Sequence, residues 1–246
     1  MLDYTAEAAV YDRTRGGVPR AEAAAAAVRE LLPPDAGRLL DVACGTGIVT
    51  ERLGAPGLRV VGVDAAFGMA ARAVERLPGA VVLGDGCRLP FASGSFDAVS
   101  LIWLLHLVPD AEPVIAECAR VLRPGGVLLA TVDKDAGHEV GSDIDAVLAP
   151  HRRPQASDEA GLIFSLAGEH GLRLLAQTWF TGHGQGRSPR RVAEVLRAGW
   201  YASRVSARGA DLEALATAVE ALPDPDEPRG EPRFRLVALQ RESTCA

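Results

Sequence analysis

Leu39-Leu40-Asp41-Val42-Ala43-Cys44-Gly45-Thr46-Gly47 is the stretch on which the fold turns. The apolar run from Arg38 to Val42 reads as a strand, a turn of small residues follows it, and Val49 to Leu53 opens a helical stretch behind. Strand, small-residue turn and helix make the unit of open α/β sheets, which bind ligands at the carboxyl ends of their strands. Small residues let the backbone approach a ligand closely, and the amides of the following helix can receive an anion. Alone, such a turn serves NAD, FAD or tight packing equally well.

Toward the carboxyl terminus the unit recurs. Leu58 to Val63 reads as a second strand closed by Asp64, Gly68 to Leu77 as its helix, Ala80 to Leu83 as a third strand and Phe96 to Ile102 as a fourth. Val114 to Leu122 is helical, and Gly126 to Val132 is a fifth strand after the Arg123-Pro124-Gly125-Gly126 turn. On the amino side, the alanine-rich run from Arg20 to Leu32 favours helix until the cluster Pro33 to Gly37 stops it. Strands that are apolar throughout and alternate with helices predict a mostly parallel sheet covered on both faces. Beyond Asp133 the regularity fades. Residues 138–154 are mixed in character, Glu159 to His170 reads as helix and Leu172 to Phe180 as a sixth strand. Pro189 to Tyr201 and Asp211 to Leu222 read as helices, Pro223 to Pro232 as a mobile loop, and Phe234 to Gln240 as the seventh strand.

Acids stand at successive strand ends. Asp41 precedes the small-residue turn, Asp64 closes the second strand, and Asp85 follows the third in Gly84-Asp85-Gly86-Cys87-Arg88-Leu89-Pro90-Phe91. A carboxylate at the second strand end suits a pair of ribose hydroxyls, and one after the third suits an adenine amine. Singly, each is more often a helix cap or a solvated loop residue; together they describe a nucleoside site.

With Ser95-Phe96-Asp97-Ala98-Val99, His106 and Val121-Leu122-Arg123-Pro124-Gly125-Gly126, these motifs resemble the class I S-adenosylmethionine-dependent methyltransferases, in particular the ubiquinone/menaquinone-biosynthesis (type 11) branch. The resemblance covers about residues 38–132. It implies a single Rossmann-like α/β domain: N-terminal lid and helices over 1–37, a cofactor-binding core over 38–132, and acceptor-side elements over 133–246 with an insertion before the last strand. It implies S-adenosyl-L-methionine as cofactor and S-adenosyl-L-homocysteine as product. By matching position, Asp41 sits near the methionine amino group, while Ala43, Gly45 and Gly47 line the methionyl part. Asp64 holds the ribose, Met69 packs on adenine, and Asp85 bonds its amine with Gly86 and Cys87 alongside; Ala65 and Leu101 complete the cofactor-binding set. Tyr11 and Arg15 match a segment that closes over the cofactor, so residues 1–19 are expected to be mobile without it and ordered with it. Ala43 stands where the family usually has its first glycine, and Leu107 where a second histidine often follows His106.

His106 and His183 are the candidate bases for an acceptor proton, since an imidazole titrates near neutral pH; His138 is a third. Each has a plain alternative as a structural or surface histidine. Trp103, Trp179, Trp200 and Tyr201 offer aromatic surface for an acceptor wall, although buried packing is the commoner fate of tryptophan. The spacing of Asp133, Asp135 and His138 is that of a loop, and no metal is expected.

Composition narrows the partners. A formal charge of −6 over 246 residues argues against a nucleic-acid partner, because phosphate binding needs lysine and arginine. Lys134 is the only lysine among 26 basic residues, a bias that with abundant alanine and glycine reads as a GC-rich coding style. Four scattered cysteines form no metal or disulfide pattern, and no membrane span is evident. A cytoplasmic enzyme methylating O, N or C of a small molecule is expected, with bacterial secondary metabolism such as antibiotic biosynthesis as its setting. A cofactor-binding protein that catalyses cyclisation, and a methyltransferase acting on RNA or protein, remain the alternatives. An NAD oxidoreductase is disfavoured by Asp41 and Asp85.

Overall fold

Seven strands form one sheet in the computed structural model, which describes residues 4–152, 157–199 and 205–243. They are β1 (Arg38–Val42), β2 (Arg59–Asp64), β3 (Val81–Leu83), β4 (Phe96–Leu101), β5 (Leu122–Val132), β6 (Leu172–Thr181) and β7 (Arg233–Arg241). Their spatial order is β3-β2-β1-β4-β5-β7-β6, and β7 alone runs antiparallel to its neighbours. The helices are α1 (Tyr4–Glu7), α2 (Tyr11–Thr14), α3 (Gly17–Leu31), α4 (Phe67–Arg76), α5 (Glu112–Val121), α6 (Asp143–Leu148), α7 (Ala160–Glu169), α8 (Pro189–Arg197) and α9 (Gly209–Glu220).

Alternation along β1 sends Leu39 and Leu40 to opposite faces, and each anchors one layer of the core. Leu40, Val42, Val99, Leu101, Leu128 and Val237 meet α5 and α7 through Ile115, Cys118 and Ile163. On the other face Leu39, Ala98, Leu129, Phe234 and Leu236 meet the small side of α3, formed by Ala21, Ala24, Ala25 and Val28. A third cluster, with Ile144, Val192, Leu196, Leu215 and Val219, joins α6, α8 and α9 beside the sheet. Among the described residues no helix is long and apolar enough to cross a membrane.

Several details differ from the expectation. Thr50–Leu53 is only a four-residue 3₁₀ turn, because Gly54 and Pro56 stop it before it can lengthen. The Arg123–Gly126 turn lies inside β5: Phe96 pairs with Leu122, and the next pair is Ala98 with Val127, so the turn bulges out and the strand resumes. The mixed segment contains α6, started by a reciprocal cap between Ser142 and Asp145. The loop expected to be mobile over 223–232 is tied down. Arg229 pairs with Asp143 at 2.8 Å and donates to the carbonyls of Pro223, Asp224 and Glu227. Trp200 and Tyr201 lie outside the described residues.

Candidate functional site

The turn after β1 is built from left-handed backbone: Ala43 has φ +57°, Gly45 +58° and Gly47 +77°. Alanine is strained there, which explains why glycine suits the first of the three positions. Gly47 needs to lack a side chain for a second reason, since a Cβ would lie 3.2 Å from Ala73 on α4. A Cβ on Gly45 would meet nothing within 4 Å, so the turn faces open space.

Acids close the ends of β1 and β2 and follow β3, each held differently. Asp41 is buried, and its two oxygens accept from the hydroxyls of Thr50 at 2.5 Å and Ser100 at 2.7 Å. Burial pushes its carboxyl up to about 6, with the two hydroxyls pulling the other way. Asp64 accepts the Gly45 N–H and the Ala66 N–H, both at 2.8 Å, and so fastens the turn to the start of α4. Burial raises this carboxyl as well, against those two bonds. Asp85 is exposed and caps its own turn through the Cys87 N–H at 2.9 Å. Gly86 backs onto Val42, and Cys87 is exposed.

Residues 4–16 are docked over the turn. Asp12 accepts from the Thr46 hydroxyl at 2.6 Å and pairs with Arg76 at 2.7 Å, while Arg76 also donates to the Thr46 carbonyl. Thr5 covers Gly68, where a Cβ would lie 2.5 Å from its carbonyl oxygen. The Tyr4 ring stands 6.1 Å from that of Tyr11, which in turn has the Arg15 guanidinium 5.8 Å from its centre.

The other half of the same sheet edge carries a cavity of about 600 Å³ over the ends of β5 and β6 and the start of β7. Asp133, Val140, Trp179, Glu231, Arg233 and Arg235 line it. Arg235 pairs with Asp133 at 3.1 Å, whereas Arg233 has no ion pair among the described residues. Glu231 clamps the turn after β6, accepting from the Gly184 N–H at 2.6 Å and pairing with His183 Nδ1 at 2.7 Å.

The family described as a methyltransferase domain matches residues 40–130. Nocamycin O-methyltransferase of Saccharothrix syringae is 36% identical over 240 residues, covering 87% of this chain and 76% of that relative. The chain belongs to the class I S-adenosylmethionine-dependent methyltransferases, in the type 11 branch. Demethylmenaquinone methyltransferase of Beutenbergia cavernae is 46% identical over 93 residues, which are 37% of this chain and 39% of the relative. The chain thus spans only about two fifths of the length of such relatives in its match to them. Two solved structures share its fold. The [4+2]-cyclase SpnF has a TM-score of 0.61 at 22% identity, over 97% of this chain and 93% of its own. A methyltransferase-like protein from Bacillus halodurans has a TM-score of 0.56 at 18% identity, over 92% and 100%.

The family cofactor is S-adenosylmethionine, and the residues present leave room at the turn: a Cβ on Gly45 would meet nothing within 4 Å, and the Asp64 carboxylate accepts from the Gly45 N–H. Tyr11, Arg15, Asp41, Ala43, Gly45, Gly47 and Asp64 come together at the turn. Met69 is buried in the first turn of α4, Ala65 is exposed beside Asp64, and Leu101 is buried at the end of β4. His106 is half-buried on the turn beyond β4, and His138 packs edge-on against Phe234. Trp103 is a core residue, its ring 5.6 Å from both Phe180 and Phe234, but Trp179 remains exposed at the cavity. Sequence reasoning passed over Arg20, Arg76 and Glu231. For Arg20 a signal existed: Arg20, Ala24 and Val28 form one stripe of α3, and a charge within an apolar stripe calls for a partner.

Proposed function

We propose that this chain transfers a methyl group from S-adenosylmethionine to a small molecule, and that the acceptor enters the cavity at β5, β6 and β7. The observation that carries the reading is the convergence of the Gly45 turn, Asp64 and the Asp12 segment on one half of the sheet edge, with a roomy cavity on the other half. When bound, S-adenosylmethionine supplies an electrophilic methyl on a sulfonium for in-line displacement. The protein then has chiefly to align the acceptor and exclude water. The segment over residues 4–16 shields the cofactor side. Trp179 and Val140 offer apolar wall to the acceptor, in a space of the size small-molecule pockets have.

Titration calorimetry tests the cofactor half of this reading. S-adenosylhomocysteine should bind in the micromolar range and NAD should give no heat; the reverse outcome would sink the reading.

His183 is the proposed acceptor of the substrate proton, because Glu231 holds its Nδ1 and leaves Nε2 as the working nitrogen. His183→Ala should lower kcat with the native acceptor by about 10²-fold or more. S-adenosylhomocysteine affinity should stay within about 0.5 kcal/mol. Unchanged turnover would move the role to His106, whose alanine variant is the comparison. The setting proposed is bacterial secondary metabolism in the cytoplasm, in line with the similarity to nocamycin O-methyltransferase.

A further inference from the structure

Five charged side chains line the cavity over the ends of β5 and β6 and the start of β7, and four of them are already answered. Asp133 accepts the Ala160 N–H on one oxygen at 2.9 Å and pairs with Arg235 through the other at 3.1 Å. Arg235 turns its Nε and Nη2 to the Gln177 side-chain oxygen, at 3.0 Å and 2.6 Å. Glu139 pairs with Arg152. Glu231 accepts the Gly184 N–H on one oxygen and holds His183 with the other. Arg233 is the exception: it is exposed on the cavity wall, and its guanidinium has neither a salt bridge nor a hydrogen-bond acceptor among the described residues.

The register of the last two strands says what stands beside it. Thr181 pairs with Arg233 and Trp179 with Arg235. Paired residues share a face of the sheet, as do alternate residues of one strand, so Trp179, Arg233 and Arg235 stand together while Phe180 and Phe234 point into the core behind them. The Trp179 ring is 46% exposed, with the Arg235 guanidinium 5.9 Å from its centre. A flat unsaturated body stacks on such a ring. Diagonal neighbours across paired strands, as Trp179 and Arg233 are, lie about 7–8 Å apart, a span within the length of one aromatic acid. The fork of donors on a guanidinium matches a carboxylate. Three carboxylates around the same space disfavour a dianion such as phosphate, so the wall suits a single negative charge.

We propose that the methyl acceptor is a flat, unsaturated monocarboxylic acid, with its carboxylate on Arg233 and its ring system on Trp179. Arg233 then selects acidic acceptors over neutral ones of the same shape. The inference rests on the reading that this cavity receives the acceptor, and the test separates the two.

With S-adenosylhomocysteine saturating, wild type, Arg233→Gln, Arg233→Lys and Trp179→Ala are titrated by ligand-observed NMR with a set of hydroxycinnamic acids and with their primary amides. Wild type is expected to bind the acids about tenfold or more tightly than the amides. Arg233→Gln should bring the acids down to the level of the amides and leave the amides within about twofold of wild type. Arg233→Lys, which keeps the charge but not the fork, should fall between the two. Added salt should erode the preference for acids wherever residue 233 is charged, because an exposed pair is screened. Trp179→Ala should weaken acids and amides alike. Both side chains are exposed, so melting temperatures equal to wild type show that the folds are intact. Absence of acid binding by wild type, equal affinity for acids and amides, or a preference that survives Arg233→Gln overturns the proposal. In the last two cases, weakening of both sets by Trp179→Ala leaves the cavity as the acceptor site; indifference of both sets to Trp179→Ala as well strikes the cavity reading itself.

Discussion

Cutting Phe234 back to alanine is expected to lower the stability of the protein by about 3–5 kcal/mol, the usual cost of removing a fully buried aromatic ring. Phe234 has no exposed surface, and its ring meets Trp103 at 5.6 Å, Phe180 at 5.7 Å and His138 at 5.3 Å. The cavity left behind would border Trp103, whose backbone N–H donates to the Thr131 hydroxyl at 2.7 Å and whose φ of +59° is tolerable only while its surroundings hold it. Urea denaturation reads the loss directly. Leu175→Ala, at a site 55% exposed on β6, serves as the control and should change stability by less than about 0.5 kcal/mol. A cost below about 1 kcal/mol for Phe234→Ala would mean that the cluster repacks freely.

Asp41→Asn should go the other way. An acid whose folded pKa is raised binds its proton more tightly in the folded state than in the unfolded chain. It therefore subtracts from stability above the folded pKa, and the penalty fades as pH falls toward the unfolded value. For Asp41 that window runs from about 6 down to 3.8. Removing the charge with an isosteric amide should raise stability by about 3 kcal/mol at pH 7.5. The corresponding gain in Tm is roughly 6–12 °C, and the two proteins should converge near the low end of the window. One of the Thr50 and Ser100 hydroxyls can go on donating to the amide oxygen while the other turns to accept from the amide nitrogen, so both hydroxyls keep a partner. The same variant should bind S-adenosylhomocysteine more weakly. Lower stability at pH 7.5 would show instead that the two hydroxyl bonds outweigh the cost of burying the charge.

Asp41 also shows how far the sequence could be read. The strand end, the left-handed turn and the three acids follow from local chemistry, because small residues and a carboxylate in that order have few other uses. Sequence gave no means of seeing that Asp41 would meet Thr50 across a 3₁₀ turn and Ser100 from the neighbouring strand. Those contacts depend on how β1 and β4 pair. The same limit hid Glu231, which is 48 residues from His183 in the chain and beside it in space. Bounds went astray where a turn sits inside a strand, as at Arg123–Gly126, since local propensity marks the turn but not the pairing that resumes after it. The Ser142-Asp143-Ile144-Asp145 signal was local but went unread in a stretch of mixed character: a serine three residues before an acid marks a helix start, and α6 begins there.

The reversed direction of β7 puts Arg233 opposite Thr181, the last residue of β6, so the roughly 50 residues between them leave and rejoin the sheet at one paired position. Closing a loop costs only about 0.6 kcal/mol more for each doubling of its length, so the sheet is nearly indifferent to how much chain is inserted there. The donor-binding half has no such freedom, because its turns are short and their backbone angles are fixed. The architecture therefore works as a chassis with one exchangeable cassette. A segment grafted between Thr181 and Arg233 can reshape what faces the cavity without asking β1, β2 or the Gly45 turn to move.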